Sequence, residues 1–215
     1  MLFLPLLDGA IAQPERPEAA VLGIDIGGTK LAAGVISPRG QVLSYQRVPT
    51  PADQDAEGLF DAVVGLAEAV RSRCRLPVAA LGVGCGGPMV YPEGVVSPLH
   101  ISCWREFPLR LRLAESFGLP IALDNDAKAF ALGEALFGAG RGSRALLGMV
   151  ISTGVGGGVV MDGRLLHGAS GNAGHIGHTV ISRAGPRCPC GARGCLTAYS
   201  SGTGLVSRAR AALGR

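Results

Sequence analysis

Acidic side chains stop at Asp162. All sixteen Asp and Glu residues of this 215-residue chain lie in residues 1–162 beside thirteen Lys and Arg, whereas residues 163–215 carry seven arginines and no acid. A carboxylate for any chemistry in that last stretch must therefore come from earlier in the chain. So long an acid-free run also leads us to expect compensating residues beyond residue 215. Lysine is scarce too, with Lys30 and Lys128 the two examples. The net charge of +4 is too mild to indicate a nucleic-acid partner. No apolar run is long enough for a membrane-spanning helix, so no membrane association is expected. The opening MLFLPLLDGAIAQ lacks the basic region and the length of a signal peptide. Residues 1–19 are accordingly expected to be a disordered extension, and the protein to be cytoplasmic.

Glycine and apolar residues are abundant, at 34 residues and 47% respectively, so the chain can bury a core and make close backbone approaches to a ligand. The folded part begins at Val21. Residues Val21–Ile26 read as a buried strand, Gly27-Gly28-Thr29-Lys30 as a turn, Leu31–Ile36 as the returning strand and Gln41–Val48 as a third. Two glycines flanked by Asp25 and Thr29 form a place where backbone N–H groups could face phosphate oxygens while the carboxylate holds Mg²⁺. A plain glycine-rich hairpin turn is the alternative. Apolar spacing predicts a helix over Glu57–Arg73, then a strand at Ala79–Val83 that ends in Gly84-Cys85-Gly86-Gly87-Pro88, a loop free to approach a ligand. His100 and Trp104 are possible lining residues in the loop that follows, although a single Trp is more often core. A second helix is expected over Phe107–Phe117 and a strand at Pro120–Leu123. Cys74, Cys85 and Cys103 have no metal spacing and read as small core residues.

That strand runs into Asp124-Asn125-Asp126-Ala127-Lys128 and a helix to about Phe137. On its own, Asn125 or Asp126 would be a helix N-cap. The same junction exposes a carboxylate beside a helix N-terminus, and with no acid after Asp162 the best-placed base is Asp126. Ala145–Ser152 then reads as a strand, Thr153–Gly158 as a glycine turn and Val159–Met161 as the return. This repeats the strand, turn and strand of Ile24–Gly40, and two such hairpins facing one another could grip a polyphosphate. Strands follow both glycine turns where a dinucleotide fingerprint requires a helix, and no Walker sequence is present.

Residues Gly168–Cys195 place His178 ahead of Cys188, Cys190 and Cys195. Three thiolates and an imidazole make a closed tetrahedral set, the mark of a structural zinc. Disulfides or ordinary buried cysteines are the alternative, disfavoured because a C-x-C pair is too tight to bridge to itself. A metal here would pin an irregular segment and hold His175 and His178 rigidly toward the neighbouring cleft.

DIGGTK at Asp25–Lys30, LDNDAKA at Leu123–Ala129, STGVGGGVV at Ser152–Val160 and a Gly-His followed by CPCGARGC resemble the ROK family of sugar kinases and repressors, from about residue 20 to the end. The resemblance implies an α/β, actin/hexokinase-like (ribonuclease H-like) ATPase fold with two lobes. The first would be residues 20–122 and the second, incomplete here, 123–215 with the zinc element. It implies ATP-dependent phosphorylation of a hexose or N-acetylhexosamine, glucokinase-like, with ATP, Mg²⁺ and structural Zn²⁺. Asp126 is then the general base, and Gly87, Asn125, His175 and His178 face the sugar. Asp25, Gly27, Gly28, Thr29, Lys30, Thr153 and Gly154 hold the nucleotide phosphates. A homodimer is expected for the full-length form.

Three departures bear on substrate. His175 and Thr197 stand where the family's kinases usually carry sugar-binding glutamates, and His100 where they usually carry asparagine. Family chains also continue well past residue 215. The alternative function is a sugar-binding or regulatory protein without catalysis, or an inactive truncated kinase. A DNA-binding repressor would need a helix-turn-helix domain ahead of the first hairpin, for which some twenty residues are too few.

Overall fold

The computed structural model describes residues 19–214. The extension expected at residues 1–19 lies, apart from Ala19, outside them. The chain opens with β1 (Ala20–Ile26), β2 (Lys30–Ile36) and β3 (Val42–Pro49), an antiparallel meander. Helix α1 (Ala56–Arg71) follows, started by Asp55, whose side chain accepts the Gly58 N–H. It buries Leu59, Phe60, Val63, Ala67 and Val70 of the stripe expected from apolar spacing, with Leu66 buried as well and the expected Val64 only half-buried. Next come β4 (Val78–Cys85), the short pair β5 (Met89–Val90) and β6 (Val95–Val96), helix α2 (Leu109–Phe117) and β7 (Ile121–Asn125). Gly118, with φ of 61°, ends α2 in the left-handed conformation that glycine adopts without a steric penalty.

Helix α3 (Asp126–Leu136) leads to a second antiparallel set of β8 (Ala145–Ile151), β9 (Val155–Met161) and β10 (Arg164–Leu165). A single 3₁₀ turn at Ile176–His178 and helices α4 (Leu196–Ser200) and α5 (Gly202–Ala212) complete the described chain. The sequence patterns gave no sign of α4 and α5.

The first sheet has the order β3-β2-β1-β4-β7, with β4 and β7 parallel to β1. The second is β10-β9-β8. The lobe division expected at residues 122/123 falls inside β7, the edge strand of the first sheet. One apolar cluster, from Ala20 to Leu123, fills the first half and includes Trp104, stacked on Phe107 with centroids 4.6 Å apart. The Trp104 indole N–H donates to Ala56 O, so this residue is core and satisfied, not lining.

One local expectation is corrected. Gly156, Gly157 and Gly158 belong to strand β9, not to the turn, which shrinks to the residues around Thr153. Packing is the reason. A Cβ on Gly156 would lie 2.6 Å from Ala127 Cβ, one on Gly158 2.7 Å from Lys128 Cα, and one on Gly157 2.8 Å from Gly174 O. The glycines let α3 and the 174–176 segment press against β9 from its two faces.

Candidate active site and metal centre

Parallel strands β1, β4 and β7 bring Asp25, Gly84 and Asp124 into line, and one residue on, Ile26, Cys85 and Asn125. Ligands of open α/β sheets gather beyond the carboxyl ends of such strands, where loops and helix N-termini diverge. Four sequence-nominated residues meet there. A Cβ on Gly87 would lie 3.8 Å from the Asn125 amide nitrogen and 4.0 Å from His175 Cε1. Asp126 opens α3 beside them, its Cα 3.2 Å from the place a Gly84 Cβ would occupy.

The N-cap reading of this junction holds. Asn125 Oδ1 accepts the Ala127 N–H at 3.1 Å, and Asp126 Oδ1 accepts the same N–H at 2.8 Å. Capping thus holds each of the two side chains through one oxygen. Asp25 is largely buried, and that burial holds its carboxyl above the usual range; the Asp126 charge pushes the same way and Lys30 opposes. Burial, with Asp126 and Asp25 adding, also raises the Cys85 thiol, so Cys85 is an uncharged core residue. His175 is lowered, chiefly by burial and then by Lys128, so its ring is neutral near pH 7. Its Nε2 is buried without a hydrogen-bond partner among the described residues. A buried polar atom in that state needs a partner, whether an ordered water or a bound group.

The first hairpin turn is pinned from outside: Thr50 Oγ1 donates to Gly27 O at 2.6 Å, and Thr50 N–H to Thr29 O. The Gly27 N–H, expected to face phosphate, donates instead to Lys30 O at 3.0 Å and closes the turn. Gly28, Thr29 and Lys30 remain exposed. The second turn is held by α5, whose Thr203 hydroxyl donates to Thr153 O at 2.8 Å while Gly202 N–H donates to Ser152 O. Beside it opens a cavity of about 830 Å³ lined by Ser152, Thr153, Thr203, Ser207 and Arg210 among others.

His100, read only as a possible lining residue, spans the two turns. A Cβ on Gly28 would sit 2.7 Å from His100 Cβ, and one on Gly154 4.0 Å from His100 Nε2. Thr197 has a structural role. It is 9% exposed, and its Oγ1 accepts the Val155 N–H at 3.0 Å, tying α4 to the start of β9.

The ligand atoms of His178, Cys188, Cys190 and Cys195 all lie within 4.8 Å of one another. Cys190 and Cys195 sulfurs are 3.8 Å apart, and Cys188 Sγ lies 3.7 Å from His178 Nδ1. Zn–S bonds of 2.3 Å at tetrahedral angles separate sulfurs by about 3.8 Å, so the spacing fits zinc. Burial raises the Cys188 thiol, and burial with the two neighbouring cysteines pushes Cys195 up to about 12; the Ala192 backbone lowers Cys190. Crowded thiols that resist losing their protons are the state that a divalent cation relieves.

The comparisons with known proteins decide the family. The ROK family profile matches residues 21–214. The chain belongs to the ROK family. Among its ROK relatives are a glucokinase of Streptomyces coelicolor, 37% identical over 189 residues, and an N-acetylmannosamine kinase of Shigella flexneri, 40% identical over 195 residues. These alignments cover 88% and 90% of this chain but 58% and 65% of the relatives, so the chain spans about six-tenths of their length. The Streptomyces griseus ROK glucokinase solved with glucose and AMPPNP superposes with a TM-score of 0.80 at 36% identity, covering 90% of this chain and 61% of that one. The mixed α/β fold expected from the motifs is therefore the ROK hexokinase-like fold.

Proposed function

We propose that this chain carries the catalytic cleft of an ATP-dependent sugar kinase acting on a hexose or an N-acetylhexosamine. The observation that carries the reading is the meeting of Gly87, Asn125, Asp126 and His175 at the carboxyl ends of β4 and β7. Relatives named glucokinase and N-acetylmannosamine kinase support that substrate class, and the AMPPNP-bound neighbour supports ATP as donor. We draw the lobe boundary after Asn125, because β7 completes the first sheet.

Asp126 is the general base. Its Oδ1 is occupied by the Ala127 N–H, so Oδ2 accepts the proton of the sugar hydroxyl as the new O–P bond forms and the bond from the γ-phosphorus to ADP breaks. Asn125 and the partnerless His175 Nε2 hydrogen-bond sugar hydroxyls, and Gly87 allows the ring to approach the backbone. Gly28, Thr29, Lys30, Thr153 and Gly154 hold the phosphates, with His100 between the two turns. Asp25 would hold Mg²⁺, which neutralises charge on the transferring phosphoryl group. Zinc on His178, Cys188, Cys190 and Cys195 fixes the segment that carries His175.

Release of ADP in the presence of glucose or N-acetylmannosamine tests the reading. Asp126→Asn is expected to lower kcat by about 10²–10⁴-fold, the usual worth of a general base, with sugar affinity largely kept. Turnover within a few-fold of the parent would remove Asp126 from that role. Sugar binding without turnover in the parent protein would favour the alternatives without catalysis, a sugar-binding regulator or an inactive truncated kinase.

A further inference from the structure

Lys128 is the one fully buried charged side chain among the described residues. Its ammonium lies 2.8 Å from Asp124 Oδ1 and donates to Gly171 O at 2.9 Å, with His167 Nδ1 3.3 Å away. The same His167 nitrogen lies 3.1 Å from Asp124 Oδ2, and the other ring nitrogen, Nε2, lies 3.4 Å from the Tyr91 hydroxyl, so the imidazole bridges the carboxylate and the phenol. The Tyr91 ring stacks on the imidazole with centroids 4.4 Å apart, and Lys128 Nζ lies 5.6 Å from the Tyr91 centroid. Gly171, at φ of 76°, lets the loop backbone lie against that ring: a Cβ there would sit 2.7 Å from Tyr91 Cβ.

Four segments meet in this cluster: the β5–β6 turn, the end of β7, the first turn of α3 and the loop beginning at His167. A buried ion pair is a poor way to gain stability, because well-packed apolar side chains of equal volume do as well or better. Its directional hydrogen bonds instead specify one arrangement of the segments that it joins. The site is within reach of both anchors. Asp124 directly precedes Asn125, and Gly171 directly precedes Asn172, whose carbonyl receives the His175 N–H at 3.4 Å.

We propose that Lys128, Asp124, His167 and Tyr91 form a latch that sets the 167–175 segment in register with the β7–α3 junction, making Lys128 a positioning residue for the sugar-binding face. Its consequence for sugar rests on the kinase reading above; its geometry does not. The cluster needs a lysine of full length, an acid one helical turn before it and a histidine from beyond β10. It holds His175 opposite Asn125 and Gly87 before any sugar arrives.

Hydrogen–deuterium exchange and calorimetry with glucose and N-acetylmannosamine, both on the 215-residue chain, test the proposal. Lys128→Met strands the Asp124 charge, so loss of folding alone would be uninformative. Asp124→Asn combined with Lys128→Met removes both charges and supplies the discriminating variant. The latch predicts that this pair melts near the parent temperature yet leaves residues 167–176 exchanging faster, with peptides from β1 and β2 unchanged. The dissociation constant of whichever sugar the parent binds should rise about tenfold, the equivalent of one hydrogen bond lost. Unchanged protection of 167–176 in the double variant, or sugar affinity within twofold of the parent, overturns the latch. Should the parent bind neither sugar, the kinase reading falls, while the exchange data still judge the latch.

Discussion

In the five-stranded sheet, Leu22, Leu31 and Val35 share a core with Leu59, Phe60 and Val63 of α1. The second sheet meets α3 in another way: Gly148 of β8 and Gly156 and Gly158 of β9 stand against Ala127, Lys128 and Ala131, with hypothetical Cβ atoms 2.6–2.9 Å from their neighbours. Both sheets begin with the same strand, glycine turn and strand. The first fills the space to its helix with large side chains, each worth about 1.5–3 kcal/mol when buried. The second has no such filling, and the outer positions Leu147, Met149 and Ile151 of β8 stay exposed. What the second half gains is precision, since α3 rests on backbone and not on side chains with rotamer freedom. Asp126 and Lys128 are thereby fixed to the frame of β9. That half carries other ties as well, among them the cluster of His178, Cys188, Cys190 and Cys195.

The largest expected effect separates the halves by removing one such tie. Structural zinc supplies on the order of 10 kcal/mol to small zinc domains, more than any single substitution here could remove. Purified protein is expected to hold about one zinc per chain, the stoichiometry of a closed four-ligand site. Chelation should speed hydrogen exchange through residues 176–195 while α1 and its strands keep their protection. Protein free of zinc, with a melting curve that chelator leaves unmoved, would show that the four ligands hold no metal and that the second half stands by packing alone.

A smaller effect sharpens the same contrast at single glycines. Gly158→Ala forces a methyl to within 2.7 Å of Lys128 Cα, where only backbone could yield. Overpacking of this kind is destabilising by about 1–3 kcal/mol. At about 2–4 °C per kcal/mol for a chain of this size, the melting temperature should fall by several degrees. Gly82→Ala, on β4 of the first sheet, meets nothing within 4 Å and is expected to stabilise by about 0.4–1 kcal/mol through the unfolded chain. Equal melting shifts in the two variants would mean that α3 retreats easily and that the glycine contact carries no positional information.

Those glycines also show where the sequence was legible. The buried strand at Val21–Ile26 and the apolar spacing of the helix from Glu57 are local signals, and the structure follows them to within a residue or two. The Asp124–Lys128 junction is legible as a helix start because Asn and Asp are the residue types that cap. The run at 156–158 was misread because glycine marks a turn and a close approach alike, and only the partner helix tells them apart. Thr197 stands out in the sequence at a sugar-ligand position, and what the sequence does not show is that its Oγ1 accepts the Val155 N–H, a contact between residues 42 positions apart. The Lys128 cluster was hidden for the same reason. Its partners Tyr91, His167 and Gly171 carry no motif and converge only in the fold.

The smallest effect concerns acid, and it should fall on one half. Three of the four histidines, His167, His175 and His178, belong to the second half. Burial, then Lys128, holds His167 below its ordinary range, with Asp124 opposing; His175 is lowered by burial and then Lys128 as well. A histidine lowered in the folded state takes up its proton in the unfolded chain first. Its contribution to stability is therefore complete above the unfolded value of about 6.5 and is lost as pH falls from there toward the folded value. Protonated His167 would also bring a second positive charge against Lys128, with the single carboxylate of Asp124 to share and the Tyr91 ring on its face. His178 complicates a bare titration, since acid also competes with a metal for that ring. The informative quantity is therefore a difference: between pH 7 and 5.5 the melting temperature of His167→Gln should fall less steeply than that of the parent, zinc content being matched. Protection in the parent, corrected for the slower intrinsic exchange in acid, should fall first at 167–176, with the peptides of α1 and β1 keeping theirs. Parallel slopes in the two proteins would place the acid response elsewhere than in the Lys128 cluster.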